Sequence, residues 1–392
     1  MTSFRPMLDR YVVPDMPSTS DILPFLRQIE SNRWYSNFGP LVREFEKQMT
    51  QFLQSTANPV ADKPLHLVTL STCYDALRVG LQTFHLPRDA QVLVPAVTFP
   101  ACALAVQHAG LTPVLADVDV TQWQLTPHIA RQIVARNPVR AVMPVAVYGV
   151  PVPWQEWDAF VADTGVPVII DAAAALEVQK IPTRCLVAHS LHATKPFGIG
   201  EGGVLVARDP AVVHEARRLT NFGTEQRITL ASGTNSKMSE YHAAVGLAQM
   251  ARWPQVKKRR TDILQRLKTA MNRTGLGFSF QPNLEQAVPS IIMLRTPDGQ
   301  AARLIDGLQA AGIFAHQMYL PPLYRHPHFA RTAIVNAEGV VLKDEADEIS
   351  RSAHMPNSEW MAQNLLGLPF HPFLDQEDID DMVKTLVTLA SA

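Results

Sequence analysis

Short apolar runs alternate with amphipathic segments through the middle of the chain, from about residue 68 to residue 207. Residues 92–95 and 168–171 form apolar runs of the length of a buried strand, whereas residues 101–109 and 127–135 have apolar positions at helical spacing. A repeated strand–helix–strand order predicts right-handed crossovers and a mostly parallel, buried sheet. We therefore predict an α/β fold with a central sheet flanked by helices.

The pattern changes to longer helical segments after about residue 238. Residues 239–250 have the spacing of a helix that Pro254 is expected to end, and a charged helix is expected to follow. Further strand and helix patterns then predict a second domain. We divide the chain into residues 1–255, an N-terminal segment plus the large domain, and residues 256–392, a smaller C-terminal α+β domain.

Composition excludes several classes of function. The chain has 392 residues and a formal net charge of −1, so charge gives no reason to expect nucleic acid or an acidic membrane surface as a partner. Three cysteines without metal-ligand spacing suit a reducing compartment. No signal sequence is recognisable and no apolar run is long enough for a membrane span. We expect a soluble, cytoplasmic protein.

Three side chains suggest a specific cofactor. Asp171 ends an apolar run, and Ser190 lies five positions before Lys195. An amine, a carboxylate and a hydroxyl in this order suit pyridoxal phosphate (PLP): Lys195 would form a Schiff base with its aldehyde, Asp171 would face its ring nitrogen, and Ser190 would bind its phosphate. For an isolated aspartate a helix cap would be the better interpretation, but Lys195 favours the cofactor.

A glycine-rich segment follows the lysine. Residues 198–203 match the pattern G-x-G-x-x-G, which in dinucleotide-binding proteins follows a strand and opens a helix. Here the pattern precedes the apolar residues 204–207, which are expected to form a strand. We therefore interpret it as a turn whose backbone passes close to a bulky neighbour.

Motifs spread along nearly the whole chain resemble those of the DegT/StrS-type sugar-nucleotide aminotransferases, a fold-type I PLP family. Several blocks in one order are more specific than any single block. The blocks are residues 34–46, 94–99, 190–203, 233–240 and 368–372.

The resemblance implies a set of site residues. Asp171 would hold the ring nitrogen protonated, and Phe99 would stack on the cofactor face, although a core position beside a strand is an alternative for that ring. Tyr319 would cover the sugar, and His192 would hydrogen-bond near the cofactor. The implied cofactor-binding residues are Lys195, Asp171, Ser190, Phe99, Cys73, Tyr74 and Asn235.

The phosphate site and the partner subunit are also implied. Backbone amides of Cys73 and Tyr74, near the start of a helix, would bind phosphate together with Ser190. Asn235 would reach the phosphate from the other subunit, which implies a homodimer with composite active sites. No metal is implied, because the histidines of the C-terminal region lie in loops without ligand spacing: His316, His326, His328 and His371.

Three positions depart from the family pattern. Cys73-Tyr74 replaces Gly-Thr, so that Ser71 or Thr72 would have to supply the missing hydroxyl. Ala174 and Ala146 stand where polar side chains are common.

The function implied is PLP-dependent transamination of a nucleotide-linked keto-deoxysugar, best matched by the dTDP-4-keto-6-deoxyglucose type, with L-glutamate as amino donor. One alternative is a PLP sugar dehydratase relative, which Lys195 disfavours because those proteins replace the lysine by histidine. Another is a non-catalytic regulatory or binding protein of the same fold. Neither the nucleotide nor the ketone position follows from the sequence.

Overall fold

The computed structural model of the chain describes residues 8–58, 63–342 and 347–391. Its helices are α1 Thr19–Asn32, α2 Pro40–Thr56, α3 Cys73–Gln82, α4 Ala101–His108, α5 Pro127–Val134, α6 Trp154–Thr164, α7 Pro210–Leu219, α8 Glu240–Asn272, α9 Ala301–Ala310, α10 Glu348–His354, α11 Pro356–Asn364 and α12 Gln376–Ala390. Its strands are β1 His66–Leu70, β2 Gln91–Pro95, β3 Thr112–Ala116, β4 Val139–Val142, β5 Ile169–Asp171, β6 Leu186–Ser190, β7 Gly203–Ala207, β8 Thr224–Glu225, β9 Ile228–Thr229, β10 Ser279–Phe280, β11 Ile292–Arg295, β12 Ile334–Val335, β13 Val341–Leu342 and β14 Leu365–Leu368.

The central sheet has the strand order β1-β7-β6-β5-β4-β2-β3-β12-β13. Parallel bridges from Val142 to Val168 and from Val145 to Asp171 join its two halves. Strand β7 runs antiparallel to both of its neighbours, and β13 runs antiparallel to β12. The other neighbours are parallel, which confirms the predicted mostly parallel sheet.

Both faces of this sheet are buried. Successive residues of β7 alternate between two apolar clusters: Leu205 belongs to one, and Val204 and Val206 belong to the other. Helices α3 and α4 contribute to the first cluster, and α2, α5 and α6 contribute to the second. Strands that are covered on both faces consist of continuous apolar runs, which explains why the sequence pattern predicted them.

The prediction that Pro254 ends a helix is wrong. Helix α8 continues through Pro254 from Glu240 to Asn272, with Ser239 as its N-cap. Proline removes one intrahelical hydrogen bond, but packing holds the two halves in line: Trp253 is buried, and its Nε1 donates to Glu177 at 2.7 Å. The predicted boundary between residues 255 and 256 therefore falls inside a continuous helix, and the division into two domains stays a prediction.

The C-terminal part has its own sheet and core. Strand β11 pairs antiparallel with β10 and with β14. The second half of α8 packs with α9 and α12 around this sheet in a third apolar cluster. Strands β12 and β13, however, lie within residues 256–392 and extend the central sheet beside β3. The sequence pattern could not predict that β12 pairs with β3, because the two strands are far apart along the chain and meet only in the folded protein.

A buried histidine in β6 is expected to make the stability of the protein depend on pH. His189 is fully buried in β6, its Nδ1 lies 3.1 Å from the carbonyl oxygen of Ala172, and burial lowers its pKa to about 4. An unfolded chain would protonate it near 6.5, so stability is lost as pH falls from 6.5 towards 4, by about 3 kcal/mol from this group. Chemical unfolding at several pH values should show a shallower loss in His189→Asn than in the native chain. Replacing the exposed His128 by asparagine should leave the slope unchanged, and equal slopes in all three proteins would refute the assignment.

Candidate active site

A cavity of about 440 Å³ opens at the carboxyl ends of the parallel strands. Its volume is typical of a small-molecule site, and its position is the one expected for a sheet of this kind. Eight of the candidate residues line it: Lys195, Asp171, Ser190, Phe99, Cys73, Tyr74, Tyr319 and His192.

Lys195 lies in a tight loop between β6 and β7. The loop is fixed by backbone hydrogen bonds, in which Lys195 N donates to the His192 carbonyl oxygen at 2.9 Å and Ala193 N donates to Gly200 O at 2.8 Å. A Cβ atom at Gly198 would lie 2.5 Å from the carbonyl oxygen of Ala193, so this turn requires glycine. The loop therefore presents a half-buried amine to the cavity from a rigid backbone.

Asp171 ends β5 and is buried at the cavity wall. Its Oδ1 accepts from the backbone amide of Ala173 at 2.9 Å, and its Oδ2 accepts from the thiol of Cys102 at 2.9 Å. Burial raises the pKa of Asp171, while the two hydrogen bonds and the charge of Lys195 act to lower it. A cation placed against this carboxylate would favour its ionised form.

The start of α3 and Ser190 form one side of the cavity. The N-cap Thr72 accepts from Asp75 N at 3.0 Å, and the first amides of the helix, which have no intrahelical acceptor, lie at the cavity. Gly203 pairs with both Leu70 and Ser190, which brings the Ser190 hydroxyl beside this helix end. A helix N-terminus with an adjacent hydroxyl is suited to an anion.

Gly203 permits this close approach. An added Cβ would lie 2.3 Å from the Thr72 carbonyl oxygen and 2.5 Å from Cys73 N, which is the close backbone passage expected of the glycine-rich turn. Gly203→Ala should therefore displace the start of α3, with a loss of about 1–3 kcal/mol in stability and about tenfold in PLP affinity. Denaturant unfolding and a PLP titration would measure both. Gly277→Ala is the control, since its nearest neighbour would be 3.7 Å away; equal behaviour of the two variants would contradict the prediction.

Aromatic rings form the opposite side. Phe99 is 59% exposed, so its ring is not part of the core and the alternative of a core position is wrong. Its ring meets Tyr319 edge-on at 6.2 Å, and Tyr319 stacks in parallel on Tyr148 at 5.3 Å. The Tyr148 hydroxyl donates to Met318 O at 2.9 Å and fixes the stack. This wall offers a flat apolar surface to a planar ligand.

His192 and Glu201 lie at the cavity edge. The Nδ1 of His192 lies 2.8 Å from the Thr194 hydroxyl, and its Nε2 lies 3.6 Å from the carboxylate of Glu201. Glu201 also lines the cavity and was not singled out from the sequence. Within residues 8–58, 63–342 and 347–391, no group of three or more histidine, cysteine, aspartate or glutamate side chains is arranged to hold a metal ion.

Asn235 is the candidate that lies apart from the others. In the described part of the chain it is not among the residues that line the cavity. It is exposed, and its Oδ1 accepts from Lys237 Nζ at 2.7 Å. Lys237 also donates to Asn221 Oδ1 at 2.8 Å, so the amide is held on the surface in a defined position.

The departures from the family pattern lie inside the cavity. Ala146 and Ala174 line it and leave that part of the wall apolar. The hydroxyls of Ser71 and Thr72 both donate to Asp75, at 2.7 and 3.0 Å, so neither proton is directed to the cavity. These two hydroxyls therefore do not donate a hydrogen bond in place of the missing threonine hydroxyl.

Cys102 was missed by the sequence analysis. It comes four residues after Thr98, whose hydroxyl lies 3.2 Å from its sulfur, and it contacts Asp171 across 69 positions of sequence. The only sequence signal was a cysteine at the start of the helix that follows β2. Such a signal does not identify the partner, since the contact depends on how α4 packs.

The cavity fits pyridoxal phosphate in four separate places. The helix N-terminus beside Ser190, kept open by Gly203, suits the phosphate. The flat wall at Phe99 suits the ring face, and the buried carboxylate of Asp171 suits a protonated ring nitrogen. Lys195 is the amine that the aldehyde requires.

Comparisons with known proteins identify the family of this chain. The profile of the DegT/DnrJ/EryC1/StrS aminotransferase family matches residues 18–387. Protein Rv3402c of Mycobacterium tuberculosis is 31% identical over 365 residues, covering 90% of this chain and 86% of the relative. The dTDP-4-amino-4,6-dideoxy-D-glucose transaminase of Shigella dysenteriae is 27% identical over 393 residues, covering 95% and 96% of the two chains.

The fold is shared with solved structures of this kind. A DegT/DnrJ/EryC1/StrS aminotransferase from Brucella abortus superimposes with a TM-score of 0.79 at 22% identity, covering 95% of this chain and 96% of that chain. The match extends over both the central sheet and the C-terminal part. The chain belongs to the DegT/DnrJ/EryC1/StrS family of aminotransferases, which use pyridoxal phosphate.

Proposed function

We propose that this protein transfers the amino group of L-glutamate to a nucleotide-linked keto-deoxysugar of the dTDP-4-keto-6-deoxyglucose type. The observation that carries the proposal is the presence of Lys195 and Asp171 in one cavity with the N-terminal end of α3. The name of the Shigella dysenteriae relative supports a 4-amino-6-deoxy sugar product.

The chain's own residues divide the work. Bound PLP supplies an aldehyde carbon and an electron-withdrawing ring. The Nζ atom of Lys195 binds the cofactor and then moves the proton of the substrate α-carbon. The carboxylate of Asp171 keeps the ring nitrogen protonated, and the Phe99 ring excludes water from one face. Ser190 and the amides of Cys73 and Tyr74 hold the phosphate.

The remaining candidates act at the substrate side. Tyr319, stacked on Tyr148, covers the sugar, and His192 binds near the cofactor. The apolar wall left by Ala146 and Ala174 favours a deoxygenated sugar over a fully hydroxylated one, because buried hydroxyls would find no partners there.

The test is incubation of the holoenzyme with L-glutamate and a panel of dTDP- and UDP-linked keto sugars, with mass spectrometric detection of aminated products. We expect the dTDP-linked 4-keto-6-deoxy sugar to be aminated fastest. A protein that binds PLP but never changes its absorption on addition of glutamate would instead be a non-catalytic binding protein, and the proposal would be wrong.

We also propose a homodimer whose active sites are composite. Asn235 lies near a group of exposed apolar side chains in and on either side of the β8–β9 hairpin, and such a group is typical of a protein interface. Phe222, Ile228 and Leu230 are 55%, 61% and 56% exposed. If a second copy covers these side chains, Asn235 lies at the interface, where the proposal assigns it to the partner's phosphate.

Composite sites predict complementation between two inactive variants. Mixing Lys195→Ala with Asn235→Ala and allowing subunits to exchange should restore activity, because one site of each mixed dimer carries neither substitution. Up to about a quarter of native activity is expected from random pairing of two subunits. Activity that stays at the sum of the separate variants, despite exchange shown by native mass spectrometry, would contradict shared sites.

We place the enzyme in the cytoplasm. Cys73, Cys102 and Cys185 are all buried free thiols, as in proteins of reducing compartments. In the ranges that the structure describes, no helix has the length and apolar character needed to cross a membrane.

A further inference from the structure

The carboxylate of Asp171 is held by a chain of hydrogen bonds that begins at Thr98 in the cavity wall and passes through the buried thiol of Cys102. Its Oδ2 accepts the thiol proton of Cys102 at 2.9 Å, and its Oδ1 accepts from Ala173 N at 2.9 Å. Cys102 has a single proton to donate, so the Thr98 hydroxyl, 3.2 Å from the sulfur, must be the donor in that contact. The chain of hydrogen bonds therefore runs in one direction, from Thr98 through Cys102 to Asp171.

We propose that Cys102 is a positioning residue for the carboxylate that pairs with the cofactor ring. Two donors on different oxygens fix the plane of a carboxylate that could otherwise rotate about its last bond. The inference rests on the proposed role of Asp171, and it assigns to α4 a function that is separate from its packing.

The thiol is suited to this role by its surroundings. Cys102 is fully buried, and burial together with the charge of Asp171 raises its pKa, so the donor proton remains in place at neutral pH. A thiol is a weaker donor than a hydroxyl. It holds the carboxylate in place while withdrawing less of the negative charge that the ring nitrogen requires.

Loss of the donor would leave Oδ2 without its protein partner in a low-dielectric site. The carboxylate would then rotate or take up a proton, and either change weakens its contact with a protonated ring. Because one hydrogen bond to a charged group is lost, we expect about a tenfold weaker affinity for PLP. The absorption of bound PLP should also change with pH at a different midpoint.

The experiment compares four cysteine variants of the full chain. Cys102→Ala and Cys102→Val both remove the donor, and valine leaves no cavity in case the alanine variant does not fold. Cys102→Ser restores a donor. Cys185→Ala is the matched control, since Cys185 is also a buried thiol but does not line the cavity in the described part of the chain.

Affinity is read from titration of each apoprotein with PLP, and protonation from absorbance spectra of the bound cofactor across pH. We expect about tenfold weaker binding and a shifted spectral midpoint in the two donor-free variants, and values within about threefold of the native chain for Cys102→Ser and Cys185→Ala. The role of Cys102 would be overturned if Cys102→Ser were as impaired as Cys102→Ala. It would also be overturned if Cys102→Ala and Cys102→Val bound PLP like Cys185→Ala.

The same data separate this inference from the proposed function. If the native chain binds PLP and aminates a sugar while Cys102→Val behaves like it, only the role of Cys102 is wrong. If the native chain binds no PLP, or if Asp171→Asn binds PLP as tightly and with the same spectrum, the assignment of Asp171 is wrong and both proposals fail.

Discussion

Replacing Lys195 by alanine is expected to lower turnover by about 10²–10⁴-fold or more. Among the described residues, Lys195 is the only lysine that lines the cavity, so its amine has no replacement there. A general base typically contributes that much, and Lys195 is expected to bind the cofactor as well. Initial rates of amino transfer from glutamate under saturating PLP would measure the effect. The absorption band of the bound cofactor should shift to that of free PLP.

The control for this substitution is Lys257→Ala. Lys257 is a lysine of α8 that pairs with Glu177 and does not line the cavity within the described residues. Its removal should leave both turnover and the spectrum unchanged. A Lys195→Ala variant that retains more than about a tenth of native turnover would exclude Lys195 as the catalytic amine.

Asp171→Asn is expected to lower turnover by at least about 100-fold, since removing one partner of a buried charge pair costs several kcal/mol. The amide has nearly the same shape, but its single oxygen can replace only one of the two acceptors that Cys102 and Ala173 use, and it carries no charge to keep the ring nitrogen protonated. Rates with glutamate and the pH dependence of the bound cofactor's spectrum would measure the loss. An unchanged spectral pH dependence would contradict the role.

The stability of this variant should move in the opposite direction. Burial raises the pKa of Asp171, so the ionised carboxylate costs the folded apoprotein stability at pH values above its unfolded pKa. Near pH 7, the Asp171→Asn apoprotein should therefore unfold at a temperature equal to or higher than that of the native apoprotein. The control Asp158→Asn removes another buried carboxylate, which accepts from Arg184 N at 2.6 Å outside the cavity, and should be less stable without a spectral change.

Positions just past strand ends were predictable because the sheet is buried on both faces. The apolar runs marked the strands, and the carboxyl ends of parallel strands meet at one edge. Asp171 at the end of β5 and Phe99 just past β2 therefore line one cavity. Positions that depend on packing between elements were not predictable. The continuity of α8 through Pro254 is one example.

The sequence by itself determined the α/β architecture, the family and eight of the residues that line the cavity, because each depends on local pattern or on motifs that occur in a fixed order. Only the tertiary structure decided which side chains contact those residues and fix their positions. The contact of Cys102 with Asp171, the stack of Tyr319 on Tyr148 and the return of β12 to the central sheet join distant parts of the chain. Such contacts are set by how helices and loops pack, and the periodic apolar pattern shows that an element packs but not which distant residue it contacts.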